Sequence, residues 1–169
     1  DPVVVGRWVW AGGLACPSCE GVLSPWGHAR WRWSRAETGD VGHRPRSANC
    51  SGCAKTHVLL SAVWLARRAD AAAVIGAALL AKATGVGHRP IAAALGRPAS
   101  TVRGWLRRFG ARAEDVRALF TALLFALDPE AGPLLPNGSL FAHAVEVLGR
   151  ALGAGVLRLR ACAPCEFRL

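Results

Sequence analysis

Four cysteines, arranged as two C-x-x-C pairs, carry the clearest chemistry in this sequence. Cys16 and Cys19 stand in the sequence CPSC, and Cys50 and Cys53 stand in the sequence CSGC. Two sulfurs in one such turn can bind the same ion, and two turns complete the tetrahedral four-thiolate shell that zinc favours. The doubled pair therefore predicts a zinc (Zn2+) site formed by Cys16, Cys19, Cys50 and Cys53.

Two other thiol chemistries stay open at this point. The CPSC sequence, with its proline, is typical of a thiol-disulfide redox centre, although no βαβ pattern surrounds it. Disulfides need an oxidising compartment, and we identify no secretory signal that would indicate one. We expect a cytoplasmic protein whose reduced thiols bind metal.

Three histidines and a third cysteine pair lie outside this ligand set. His28, His43 and His57 are near enough in sequence to be spare ligands, but we expect them to face solvent or to hydrogen-bond a neighbour. His57 is the strongest candidate among them, because it follows the second cysteine pair closely. Cys162 and Cys165 have no matching pair once the first four are used, and we assign them no role.

The segment between the cysteine pairs must bring the two turns together. Residues 29–35 alternate basic and aromatic side chains, which predicts a β-strand with two different faces. Gly39 and Gly42 offer a turn, and residues 43–48 supply a strand that leads back to the second pair. We therefore predict a small β zinc ribbon with a hairpin between its C-x-x-C turns.

Residues 88–109 match the pattern of a helix-turn-helix. Ala92 is the small residue that lets two helices cross closely, and Gly96 supplies the positive φ that the turn requires. Val102 and Trp105 fall on the inner side of the second helix. A helix over residues 70–83, with Asp70 as its candidate N-cap and Gly85 just beyond its end, completes a three-helix unit.

The outward face of the second helix in the pair is polar and basic. In helix-turn-helix proteins this recognition helix lies in the major groove, with its N-terminal residues against base edges. We therefore predict base contacts by Ser100, Thr101 and Arg103. Four arginines near the ends of the two helices are predicted to bind phosphates: Arg89, Arg97, Arg107 and Arg108.

The positive charge of the chain is concentrated in its first two thirds. Residues 1–113 contain sixteen Lys or Arg against five Asp or Glu, whereas residues 114–169 contain five against six. A GC-rich genome would explain the preference for arginine, but not the point at which the excess charge stops. A basic front part indicates a polyanionic partner. No apolar run approaches the ~20 residues of a membrane-spanning helix, and no small-molecule site is evident.

Residues 113–169 predict two amphipathic helices joined by a proline-rich loop. Apolar residues repeat at helical spacing around Leu123 and Val145, and Ser139 is the predicted cap of the second helix. We interpret the segment as a helical hairpin. Two roles stay open: the hairpin covers the helix-turn-helix core, or it forms a homodimer that binds two DNA half-sites.

The order of CPSC, a basic and aromatic middle, CSGCAKTHVLL and GHRPIAAALGRPASTVRGWLRRF resembles small bacterial zinc-ribbon plus helix-turn-helix proteins of uncharacterised role. It is also similar to the DNA-binding front ends of insertion-sequence transposases. The resemblance covers roughly residues 16–109 and implies DNA binding near mobile elements. In such transposases a catalytic domain with three carboxylates follows, and the remaining segment here is too short and too poor in acids to form one.

We therefore predict a mainly α protein with a small β zinc ribbon. Its predicted parts are the zinc ribbon at residues 1–65, a helix-turn-helix domain at 66–112, and a C-terminal helical hairpin and tail at 113–169. The predicted function is non-catalytic, sequence-reading binding of double-stranded DNA at the nucleoid, in transposition or regulation. Two alternatives stay open: a DNA-targeting subunit or fragment of a transposase or recombinase, and a zinc-ribbon module that binds protein.

Overall fold

The computed structural model describes residues 13–61, 63–135 and 138–161. The chain divides into two compact units, residues 1–75 and residues 76–169. The finer division into three parts stays a prediction. Cys162 and Cys165 lie outside the described residues.

The described part of the first unit is built on antiparallel β-structure. Strand β4 lies between β1 and β5 in one sheet, and β2 pairs with β3 in a second, two-stranded sheet. The β4 strand runs into Cys50, so the larger sheet places the second cysteine pair. The strands are β1 (Leu23–His28), β2 (Arg32–Ala36), β3 (Gly39–His43), β4 (Arg46–Cys50) and β5 (Thr56–Leu59).

The hairpin predicted between the cysteine pairs is present, but its turn is at residues 37–38. Gly39 and Gly42, which were predicted to form the turn, both belong to β3. The predicted return strand over residues 43–48 is divided between β3 and β4. Pro45 lies between these two strands. Proline fixes φ and has no N–H to donate to a sheet, so it interrupts the strand.

The described part of the second unit is helical, and α1 begins in the first unit and continues into it. Its helix-turn-helix helices have the predicted positions within one or two residues, and Ile91, Ala92, Val102 and Trp105 are buried as predicted. Helix α2 packs against α3, and α4 packs against α5. The helices are α1 (Ala72–Ala83), α2 (His88–Ala94), α3 (Ala99–Gly110), α4 (Ala113–Leu127) and α5 (Leu140–Ala161).

Glycines end α1 and α2 in the same way. Gly85 and Gly96 have φ angles of 93° and 61°, a left-handed conformation that glycine adopts without steric cost. At the end of α2, the N–H of Arg97 donates to the carbonyl of Ala92 at 2.9 Å, and the N–H of Gly96 donates to the carbonyl of Ala93 at 3.2 Å. These are the two bonds of a Schellman motif, which fixes the turn before α3.

Helices α4 and α5 run in the same direction, which corrects the predicted hairpin. Phe109 lies near the end of α3, just before α4 begins, and its ring centroid is 4.8 Å from that of Phe141 at the beginning of α5. Where α4 ends, Leu127 lies against Gly155, which is far along α5: a Cβ placed on Gly155 would be 3.6 Å from the Cδ1 atom of Leu127. An antiparallel hairpin would place the end of α4 beside the beginning of α5 instead.

The loop of residues 128–139 makes this parallel arrangement feasible. It is long enough to reach from the end of α4 back to the level at which α4 begins. Arg150 in α5 donates hydrogen bonds to the loop carbonyls of Gly132 and Pro133. A tight turn of a few residues, as in a true helical hairpin, would not reach. Ser139 then accepts a hydrogen bond from the N–H of Ala142 at 3.2 Å, so its prediction as the helix cap is confirmed.

Candidate metal centre and nucleic-acid interface

The four predicted cysteine ligands meet at one point in the ribbon. Their Sγ atoms all lie within 4.8 Å of one another, and the Sγ atoms of Cys16 and Cys53 are 3.8 Å apart. A tetrahedral shell with metal–sulfur distances of about 2.3 Å has sulfur–sulfur edges of about 3.8 Å. The four residues are free cysteines rather than disulfides, and their arrangement can hold one metal ion.

Backbone N–H groups in the two C-x-x-C turns point at the sulfur atoms. Ser18 donates to the Sγ atom of Cys16 at 3.4 Å, and Gly52 and Cys53 donate to that of Cys50 at 3.3 and 3.4 Å. The N–H of Cys53 is the main reason that the pKa of Cys50 falls to about 6. The two bonds to Cys50 favour its thiolate form, which is the form that binds metal.

The cysteines do not all lose their protons with equal ease. The N–H of Gly21 lowers the pKa of Cys19, but the side chains of Cys50 and Cys53 and the burial of the thiol outweigh it and raise that pKa to about 12. Thiolates held so close together repel one another. A divalent cation would offset that repulsion, so the cluster suits a bound metal better than a set of isolated thiols.

Two glycines allow the turns to approach this closely. A Cβ on Gly21 would lie 2.7 Å from the Sγ atom of Cys50 and 2.7 Å from the backbone nitrogen of Gly52. A Cβ on Gly52 would lie 3.3 Å from the Sγ atom of Cys19. Neither glycine carries a sequence signal for this role, although each lies within two residues of one of the four cysteines.

The cysteine cluster lies in the small apolar core of the ribbon. Cys16 and Cys50 are buried with Leu23 and Ala48, and Leu59 packs against them. His57 is also adjacent, with its Nε2 atom 3.4 Å from the Sγ atom of Cys16. With four sulfurs already grouped, this histidine is placed to hydrogen-bond a ligand rather than to replace one.

The second candidate site is one face of α3. Ser100, Arg103, Gly104 and Arg107 follow one another at helical spacing and line a shallow groove of about 380 Å³. The opposite face is buried through Val102, Trp105 and Leu106. Since α3 contains no acidic residue, its exposed face carries positive charge from Arg103, Arg107 and Arg108 with no negative charge to offset it.

The other predicted DNA-contacting residues have different surroundings. Thr101 is half-buried, whereas Arg89 and Arg108 are exposed. Arg97 donates to the carbonyls of Leu95 and Gly96 at 3.2 and 3.3 Å, so its side chain folds over the turn. DNA contact by all seven predicted residues stays a prediction.

The segment that contains α1 to α3 is similar to a known protein family. Residues 62–117 match a family model described as a homeodomain-like domain. Helices α1 to α3 lie within the matched residues. In homeodomains the third helix reads the major groove of DNA, and the corresponding helix here is α3.

The comparisons add no further relative. No match was found among the curated proteins or among the solved structures. Among the described residues, no helix has the length and apolar character needed to cross a membrane.

Proposed function

We propose that this protein binds double-stranded DNA and reads its sequence with α3, while its four-cysteine cluster binds one zinc ion. The observation that carries the proposal is the face formed by Ser100, Arg103, Gly104 and Arg107. That face belongs to the helix that enters the major groove in homeodomain-like domains. The resemblance to transposase front ends supports a role in transposition or in regulation near mobile elements.

The chemistry of this face suits duplex DNA. Arg103 carries a planar guanidinium that can hold guanine by two hydrogen bonds, and Ser100 can pair with several base edges. Gly104 has no side chain, and the guanidinium of Arg108 lies beside it, 3.4 Å from the position of a Cβ. Arg107 and Arg108, one turn further on, are placed to bind phosphates and so to fix the position of α3 on the duplex.

Zinc is the proposed ion because four thiolates form a soft donor set. Such donors select zinc over magnesium or calcium, which prefer oxygen ligands. A shell that is complete with four protein ligands leaves no open position for a substrate, as in structural rather than catalytic zinc sites. We therefore propose that the metal stabilises the fold and that the protein is not an enzyme.

The proposal includes a homodimer and a location at the nucleoid. On α4, Leu119 and Leu123 are 64% and 40% exposed, and on α5, Leu152 and Val156 are 57% and 49% exposed. Each pair lies one helical turn apart, so both helices present apolar side chains that a second copy would cover. A dimer would place two α3 helices on two half-sites. The bacterial cytoplasm contains the DNA, and its reducing conditions keep cysteine thiols free to bind metal.

The experiment that tests the proposal combines metal analysis with selection of DNA. Protein purified under reducing conditions is assayed for zinc by mass spectrometry, and duplexes are selected from a random-sequence pool at two salt concentrations. We expect one zinc ion per chain, an enriched sequence and an affinity that falls steeply with salt. A pool without an enriched sequence would contradict sequence reading, and a flat salt dependence would contradict phosphate contact.

A further inference from the structure

The ribbon unit contains a second basic surface that includes none of the four cysteines. A cleft of about 510 Å³ opens between the β2–β3 hairpin and residues 60 and 64–69. We refer to it as the ribbon cleft. None of the described residues that line it is acidic, so its charge suits an anion. Its arginines and aromatic rings are Arg30, Arg32, Arg67, Arg68, Trp33, His43 and Trp64.

The two walls of the ribbon cleft are held together by hydrogen bonds. The N–H of Arg35 in β2 donates to the carbonyl of Ala69 at 2.7 Å, and the N–H of Ala71 donates to the carbonyl of Arg35 at 3.0 Å. The guanidinium of Arg35 also pairs with the buried carboxylate of Asp70 at 2.9 Å. The cleft is therefore formed before any ligand binds, which lowers the entropic cost of binding.

Aromatic rings give the ribbon cleft stacking surfaces. Trp33 is 70% exposed and borders the cleft from the outer face of the hairpin, opposite the face that carries Arg32 and His43. There its ring and that of Trp31 lie against Gly42, 3.1 and 3.2 Å from the position of a Cβ. The rings of His43 and Trp64 are stacked, with centroids 4.5 Å apart and planes inclined by 8°. An exposed tryptophan ring that packs against glycine offers aromatic surface on which a base can stack.

Two polar atoms at the ribbon cleft also lack partners within the described structure. The Nε atom of Arg32 and the Nδ1 atom of His43 are buried without a hydrogen bond, and these two residues lie opposite each other in the β2–β3 pairing. Buried polar groups without partners cost free energy. Because the Nε atom is buried, an acceptor atom of a ligand in the cleft would reach it only after the Arg32 side chain turns outward, and that bond would relieve this cost.

We propose that the ribbon cleft binds an unpaired strand of nucleic acid, with a base stacked on Trp33 and phosphates held by the arginines. In a duplex, both faces of a base are covered by its neighbours, so an exposed ring can stack only on an unpaired or flipped base. Single-stranded DNA and RNA share this chemistry. The inference goes beyond duplex reading by α3 and does not depend on it.

The test measures the affinity of the full, zinc-loaded chain for labelled oligothymidylate, oligouridylate and a duplex by fluorescence anisotropy. We expect Trp33→Ala to weaken binding of the single strand by about 5- to 150-fold and to leave duplex binding and zinc content unchanged. The matched control is Trp26→Ala, because Trp26 is 67% exposed in the same unit and does not line the cleft. Unchanged single-strand affinity in Trp33→Ala, or an equal loss in Trp26→Ala, overturns the proposal.

Two further comparisons complete the test. Arg67→Ala and Arg68→Ala should each flatten the salt dependence of single-strand binding, because each removes a phosphate contact; salt dependence unchanged in both variants counts against the proposal. Arg103→Ala should weaken binding to the selected duplex alone, which separates a failure of this inference from a failure of duplex reading. Tighter binding of one oligonucleotide type identifies DNA or RNA as the source of the strand.

Discussion

The Nε2 atom of His57 lies 3.4 Å from the Sγ atom of Cys16. The β-sheet fixes this contact, since His57 in β5 pairs with Ala48 in β4, two residues before Cys50. A histidine that donates its N–H to a metal-bound thiolate spreads the negative charge of the ligand and holds its orientation. His57 is therefore placed to support the metal site without being a ligand.

His57→Ala should lower the affinity for zinc about 10- to 100-fold, because a hydrogen bond to a ligand is lost. The measurement is a competition titration against a chromophoric zinc chelator. His28→Ala is the matched control, since His28 is exposed on β1 and lies outside the cluster. Equal affinities of the two variants would contradict the supporting role of His57.

Gly21→Ala should disrupt the metal site, because its methyl group would lie 2.7 Å from the Sγ atom of Cys50. We expect a loss of zinc and a fall of about 1–3 kcal/mol in the stability of the ribbon, measured by urea unfolding with tryptophan fluorescence. Gly149→Ala is the control: a Cβ there meets nothing within 4 Å, and the change should stabilise α5 by up to about 1 kcal/mol. Full zinc occupancy in Gly21→Ala would show that the turns can separate.

Arg103→Ala and Arg107→Ala should have different effects on DNA binding. Loss of Arg103 should relax the preference at one base pair, at a cost of about 1–3 kcal/mol on the preferred sequence. Loss of Arg107 should weaken all sequences alike and reduce the slope of affinity against salt by about 1. Binding to the selected duplex and to its single-base variants, each at two salt concentrations, distinguishes these outcomes. If both variants weaken binding to all of these duplexes equally, the result would contradict the base-reading role of Arg103.

Leu119→Glu should convert a homodimer into monomers, because a charge would replace an apolar side chain that is 64% exposed on α4. The mass of the particle in solution, measured by light scattering after gel filtration, gives the oligomeric state. Leu80→Glu is the control, since Leu80 is 61% exposed on α1. A monomeric unaltered chain, or a dimer that persists in Leu119→Glu, would count against dimerisation through this face.

Local signals made the metal site and the helix-turn-helix predictable. A C-x-x-C turn brings its own two sulfurs together, and the positive φ of Gly96 follows from the turn that glycine permits. Asp70 shows what local reasoning does not reach. Its role as the N-cap of α1 stays a prediction, whereas its carboxylate also pairs with Arg35, thirty-five positions earlier. Nothing near Asp70 in sequence indicates that partner.

The arrangement of the last two helices and the ribbon cleft depended on longer-range geometry. Helical periodicity identifies an apolar stripe but not the direction in which two stripes pack, so α4 and α5 were assigned the commoner antiparallel order. Leu123 was placed in the stripe and is 40% exposed, whereas its neighbour Leu124 is 2% exposed. The ribbon cleft joins Trp33 to Trp64 through a pairing between distant segments, for which the sequence carries no local pattern.

The shared direction of α4 and α5 has an electrostatic consequence. Peptide dipoles add along a helix, so a parallel pair has both positive poles at one end, where antiparallel helices would place opposite poles side by side. Glu114 and Asp115 lie in the first turn of α4, at that end of the pair. The pKa of Glu114 is lowered, mainly by its hydrogen bond with Arg117 and also by the charge of His143 at the beginning of α5. The acidic first turn of α4 therefore supplies the negative charge that offsets two aligned positive poles.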